Sequence, residues 1–203
     1  LEGNMGKFRK VIGVILILIG IGIIGNVVYK KIVTSQKQKQ LIGSVEVDLT
    51  NKENPKNTNN EGELKLSDIN GYNAIAILEI PSIKLKQGVV EGVGDDVLKY
   101  YLGHYDGTAN PGEKGNFVVA GHRVSDYTDA FINLYKVKKD DEIIVKTADK
   151  KYIYTVNDNF IVEPEQVEVL EQTENETITL ITCTVGAKQR VIVKGTLKNV
   201  ENL

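Results

Sequence analysis

Three side chains in this sequence could together carry out acyl transfer: a thiol, an imidazole and a guanidinium. The thiol is the chain's one cysteine, Cys183, so an internal disulfide is excluded. A lone cysteine can be a small buried core residue, a reactive nucleophile or one ligand of a metal site. Cys183 closes the run Thr177–Thr182, a strand by composition, and Arg190 opens a second such run. Between them TVGAKQ carries Gly186 as its turn element. A hairpin centred between Gly186 and Ala187 pairs 183 with 190, 181 with 192 and 179 with 194. Directly opposed residues of an antiparallel pair share one face of the sheet, so Cys183 and Arg190 would point into one space. A one-residue slip would break that arrangement. A guanidinium there favours the nucleophilic thiolate and can stabilise an oxyanion on an attacked carbonyl. An arginine that is merely solvated at a strand start fits the spacing equally well.

The chain has two histidines, His104 and His122. His122 ends NFVVAGHR, directly after a strand, where a rigid element meets a loop. Imidazole is the usual proton shuttle near neutral pH, and a cysteine that attacks an acyl carbon needs a group to protonate the departing amine. His104 lies in YLGHYDGTANPGEKGN, a Gly-, Asn- and Asp-rich stretch, and reads as a structural loop residue. Zinc held by Cys183, His104 and His122 is chemically possible, but their spacing contains no paired ligand motif, and neither metal nor cofactor is expected.

The elements that must hold these groups follow from the texture of the 203-residue chain. Residues 1–4 precede Met5 and are set aside as a non-native leader. Residues 11–29, VIGVILILIGIGIIGNVVY, carry no charge and reach about 28 Å as a helix, close to the roughly 30 Å hydrocarbon core of a bilayer. The expectation is a membrane anchor over 5–32, though lysines on both sides leave its orientation open. Residues 33–65 are polar and read as a flexible tether with a root-mean-square reach of roughly 30 Å. From 66 to 203 the pattern is strand-dominated. Expected strands are 74–80, 83–90, 116–121, 142–146, 152–162, 177–182 and 190–197, with short helices at 95–101 and 128–135. A closed β-barrel removes exposed edges and suits this all-β pattern. A net charge of −2 gives no footprint for nucleic acid.

Taken together, TLITC (Thr179–Cys183), AGHR (Ala120–Arg123) and Arg190 at a strand start resemble the sortase family, in the order His, Cys, Arg. The stretch GHYDGTANPGEKGNFVVAGHR is similar to the family's run before its histidine. Asp106 stands where relatives often have Pro, which touches a loop. The resemblance covers about residues 70–198 and looks most like class D, with no long lid segment ahead of the barrel. It implies an eight-stranded sortase-type barrel with short helices behind one transmembrane helix. It further implies a cysteine transpeptidase on the outer face of a Gram-positive cell membrane. Its substrates would be LPXTG-like sorting signals cut between Thr and Gly, with an amine of peptidoglycan precursor or cross-bridge as acceptor. Catalysis would fall to Cys183, His122 and Arg190, and Thr179, Leu180, Ile181 and Thr182 would line the cleft. A cysteine hydrolase and a tethered binding module are the rival readings.

Overall fold

The computed structural model describes residues 2–52, 68–69 and 71–203. Helix α1 spans Glu2–Lys52. After it come β1 (Asp68–Ile69), β2 (Tyr72–Ile80), β3 (Leu85–Glu91), α2 (Asp95–Leu98), β4 (Leu102–His104), β5 (Gly115–Ala120), β6 (Glu142–Lys146), β7 (Lys150–Val162), β8 (Glu176–Cys183) and β9 (Arg190–Asn202). The sheet order is β1-β2-β3-β4-β5-β8-β9-β7-β6, and β6 returns to pair with β2. Eight strands, β2 to β9, thus close into a barrel, and β1 extends one margin. Two pairings are parallel, β3 with β4 and β5 with β8.

Alternation of side chains along each strand separates the barrel interior from its outer face. Phe117 and Val119 of β5, Ile178 and Leu180 of β8, and Val191 and Val193 of β9 are buried in one central core with Leu78, Leu102, Phe131 and Tyr154. Asn116, Ala120, Ile181, Cys183 and Arg190 therefore lie on the opposite, outer side. The expected strands are all present, and 142–146 keeps its bounds. The second begins at Leu85 instead of 83, because Pro81–Ile83 forms a 3-10 turn closed by Lys84 at φ 54°. The helix expected over 128–135 is a series of turns ending in a 3-10 turn at Leu134–Lys136. Ser125 and Thr128 cap backbone amides there and hold the turns open.

The larger departure is at the N-terminus. Helix α1 runs on through 33–52, where the polar composition led us to expect a flexible tether; residues 53–67 lie outside the described residues. The tether's polar bias hides a sparse stripe at helical spacing. Thr34, Gln38, Leu41 and Val45 are all buried against the barrel. Leu41 and Val45 share a second, smaller core with Ala74, Ile77, Val90, Val97 and Tyr101. Gly88 leaves room for this contact, since a Cβ there would sit 2.4 Å from Leu41 Cδ2. Gln38 spends both ends of its amide on the barrel, donating to the Tyr100 carbonyl at 2.7 Å and accepting from the Gly88 amide at 2.8 Å. Its one apolar run, by contrast, is exposed, and α1 is the single described helix long and apolar enough to cross a membrane.

Tyr154 shows how the core tolerates a hydroxyl. Its phenol accepts a hydrogen bond from the Gly112 amide at 2.8 Å and ties the β4–β5 loop to β7. Burial, foremost, pushes the phenol's pKa above the ordinary tyrosine value of 10.0. The stability that this neutral phenol contributes is complete below about pH 10 and is lost as pH rises further. Tyr154→Phe should cost about 1 kcal/mol near neutrality, because it orphans the Gly112 amide. Urea titrations from pH 8 to 11 should show the gap between wild type and variant constant at first and narrowing above about pH 10. A gap that widened there would contradict the assignment.

Candidate active site

The hairpin register expected for the end of β8 is the one observed: Cys183 pairs with Arg190, Ile181 with Ile192 and Thr179 with Lys194. The turn is compact because Gly186 and Ala187 both take positive φ, 79° and 58°. Thr184 fastens it, its amide donating to the Gln189 carbonyl at 2.9 Å while its hydroxyl accepts from the Gln189 amide at 3.1 Å. Arg190 Nη1 donates to the carbonyls of Ala187 and Gln189, both at 3.2 Å. Its guanidinium is thus held by the turn that lies beside the thiol.

His122 reaches the same place by another route. Strand β5 runs parallel to β8 with Ala120 opposite Ile181, so the next residues of both strands leave the barrel side by side. The Gly121 amide donates to the Ile181 carbonyl at 3.1 Å, and the Thr182 hydroxyl donates to the Gly121 carbonyl at 2.7 Å. These bonds fix the backbone on which His122 sits. A loop leaves at His122 and returns at Phe131, whose amide donates to the His122 carbonyl at 3.1 Å. Position 121 has no room for a side chain, because a Cβ would lie 2.5 Å from Leu102 Cδ2 and 2.9 Å from Phe131 Cδ2.

Cys183, His122 and Arg190 are each half-buried and line one open cavity of about 210 Å³. Val93, Leu98, Tyr105, Ala120, Gly121, Ile181 and Thr182 complete its wall. A larger cavity of about 620 Å³ opens beside residues 110–113 and 147–150, but it contains none of the three groups. Chemistry, not size, singles out the smaller one. It brings a thiol, a ring that can carry a proton and a fixed cation to one surface, the set that cysteine-based acyl transfer needs.

Of the four residues expected to line the cleft, Ile181 and Thr182 do so. Leu180 points into the barrel core instead. Thr179 is buried, and its hydroxyl donates to Asn116 Oδ1 at 2.7 Å. Asn116 in turn donates to the carbonyls of Val169 and Glu171, so Thr179 helps fasten the β7–β8 connection. Sequence reasoning overlooked Val93, Leu98 and Tyr105, which arrive from the β3–α2 link, α2 and the β4–β5 loop. Only the neighbourhood of Tyr105 to His104 hinted at a role. His104 lies outside the cavity and is buried. Its Nδ1 faces the Glu91 carboxylate at 3.1 Å, and its Nε2 meets Thr108 Oγ1 at 2.9 Å and the Ala109 carbonyl at 3.1 Å. It pins the loop that presents Tyr105. Among the described residues no cluster of His, Cys, Asp or Glu could hold a metal ion.

Comparison with known proteins agrees with the fold. The model of the sortase domain matches residues 78–198, more than half of the chain. The chain belongs to the sortase family. Sortases are cysteine transpeptidases, and the closed eight-stranded barrel is theirs. Sortase D of Bacillus subtilis is 27% identical over 181 residues, covering 86% of this chain and 89% of that protein. Sortase A of Listeria monocytogenes is 35% identical over 92 residues, but this match spans only 44% of this chain and 41% of that protein. Among solved structures, the Clostridium perfringens sortase D5 transpeptidase superposes with a TM-score of 0.63 at 31% identity, covering 82% of this chain and 99% of that one.

Two outcomes follow from this geometry. Iodoacetamide should add one label per folded chain at Cys183, read by intact mass; labelling that required denaturant would mean a sealed thiol. Gly121→Ala should cost about 1–3 kcal/mol by overpacking against Leu102 and Phe131. Thermal melting checks this, and an unchanged melting temperature would show that the neighbours yield freely.

Proposed function

We propose that this sortase cleaves an LPXTG-like sorting signal between Thr and Gly and transfers the upstream polypeptide to a cell-wall amine, from a peptidoglycan precursor or cross-bridge. The observation that carries the proposal is the convergence of Cys183, His122 and Arg190 on one open cavity. The Cys183 sulfur bonds to the Thr carbonyl carbon, and the resulting oxyanion is stabilised by Arg190. Collapse breaks the C–N bond, His122 gives its proton to the departing glycine amine, and a thioester remains. The acceptor amine then attacks the thioester carbon. Its proton passes to His122, the new amide forms, and the Cys183 thiolate leaves. Protons balance over the cycle, and no redox step is involved. Ile181 and Thr182 form part of the wall against which the peptide lies.

The apolar stretch of α1 supports single-pass anchoring. The chemistry proposed needs the barrel on the outer side of the membrane, where secreted proteins and wall precursors meet.

Intact mass spectrometry with an LPXTG-like peptide tests the reading. Wild type should accumulate a thioester adduct on Cys183, and Cys183→Ala should give none. His122→Ala should lower kcat by about 100-fold to 10,000-fold, and Arg190→Ala by about 100-fold to 1,000-fold. Added glycine-type or diaminopimelate-type amines should divert the product from acid to amide. Turnover by Cys183→Ala, or hydrolysis indifferent to amine, would overturn the proposal.

A further inference from the structure

The barrel makes contact with α1 from the first residue after the apolar run. Residues 11–29 end at the exposed Tyr29. At the next position, Lys30 Nζ lies 2.8 Å from Asp126 Oδ2 and 5.1 Å from the centre of the Tyr127 ring. Lys31 pairs with Asp129. Lys99 stands over the Tyr127 ring at 4.4 Å. One turn and more along, Lys37 lies over the rings of Tyr100 and Tyr72 at 4.6 and 5.8 Å. Contact then continues through Gln38 and Leu41 to Glu46, which pairs with Lys86 at the start of β3.

The direction of this contact is informative. Glu46 meets Lys86, whereas Gln38 meets Gly88, so α1 and β3 run antiparallel along the interface. The end of β3 that leads through Val93 into the site cavity therefore faces the apolar end of α1. The ion-paired residues Asp126 and Asp129 belong to the loop that leaves the barrel at His122 and returns at Phe131. Lys30 and Glu46 are sixteen residues apart, about 24 Å of helix, and the helix is supported along that length.

We infer that α1 is a rigid strut which seats the His122 loop, residues 123–127 with Lys99, in the phospholipid headgroup layer. This rests on the reading of 11–29 as a membrane span. The loop's exposed surface suits that layer: Val124 is 51% exposed, and Tyr127 has an apolar ring with a polar tip. Lys30 and Lys31 are balanced by Asp126 and Asp129, so Lys99 and the loop's Arg123 leave the patch net positive and complementary to anionic lipid. The cavity mouth is thereby held at the membrane surface.

The chain has no tryptophan, so single-tryptophan variants report depth directly. Full-length Val124→Trp, Ile19→Trp and Val200→Trp would be placed in phosphatidylcholine–phosphatidylglycerol nanodiscs carrying doxyl labels either high or deep on the acyl chains. Val200 is an exposed control near the end of β9 remote from Arg190. Val124→Trp should show blue-shifted emission, quenched by the high label. Ile19→Trp should be quenched by the deep label, and Val200→Trp by neither. Lys30→Glu with Lys31→Glu should abolish quenching at position 124, and adding Asp126→Lys with Asp129→Lys should restore it. If position 124 stays unquenched while position 19 is quenched, the span stands and the strut is wrong. Quenching at 124 that survives the charge reversal also overturns the strut. If position 19 is unquenched, the span fails and the inference fails with it. None of these readings depends on transpeptidase activity, so loss of the proposed function would leave them unaffected.

Discussion

The three-strand ladder β5–β8–β9 is the constraint from which the site follows. Parallel pairing of β5 with β8 sets Ala120 beside Ile181, and antiparallel pairing of β8 with β9 sets Cys183 beside Arg190. Because side chains alternate, one register decides everything downstream. With Leu180 and Val193 in the core, Cys183 and Arg190 must face outward. A slip of one residue would bury the thiol and expose a core leucine. Large apolar side chains on the inner face thus fix the outward direction of Cys183 and Arg190.

Around that ladder, the polar residues near the site divide between support and exposure. Thr179, Asn116 and His104 are buried and hydrogen-bonded; the first two fasten the β7–β8 connection, and His104 pins the loop that presents Tyr105 to the cavity. Thr182 is the intermediate case, since it lines the cavity while its hydroxyl locks the backbone of Gly121. Arg190 also has two roles, because its grip on the Ala187 and Gln189 carbonyls stiffens the turn that aims it. Placing the groups on strand ends and tight turns gives the preorganisation that the proposed oxyanion stabilisation would use.

Helix α1 combines two surface chemistries in one element. Its first part is apolar around its circumference, the composition that single-pass anchoring would use. Its second part is polar except for a narrow stripe, which is enough because the barrel supplies the other half of the contact. Burial of Leu41 and Val45 together with the two amide bonds of Gln38 orders a segment whose composition alone cannot sustain structure.

Much of the site was legible in the chain before any coordinates. The single Cys, the His after a strand and the Arg seven residues on pointed to the acyl-transfer chemistry proposed, and Gly186 with flanking alternation suggested the hairpin register that the structure has. Those features are local: a turn and a period of two act over a few residues, so sequence alone determines them. It likewise determines the length of the apolar run in α1. What only the tertiary structure decided is non-local. The parallel β5–β8 pairing that brings His122 to Cys183, the cavity walls Val93, Leu98 and Tyr105, and the inward turn of Leu180 depend on which strands become neighbours. The order of residues 33–52 is of the same kind, because a stripe of four positions is stable as helix only when a barrel face stands opposite to bury it.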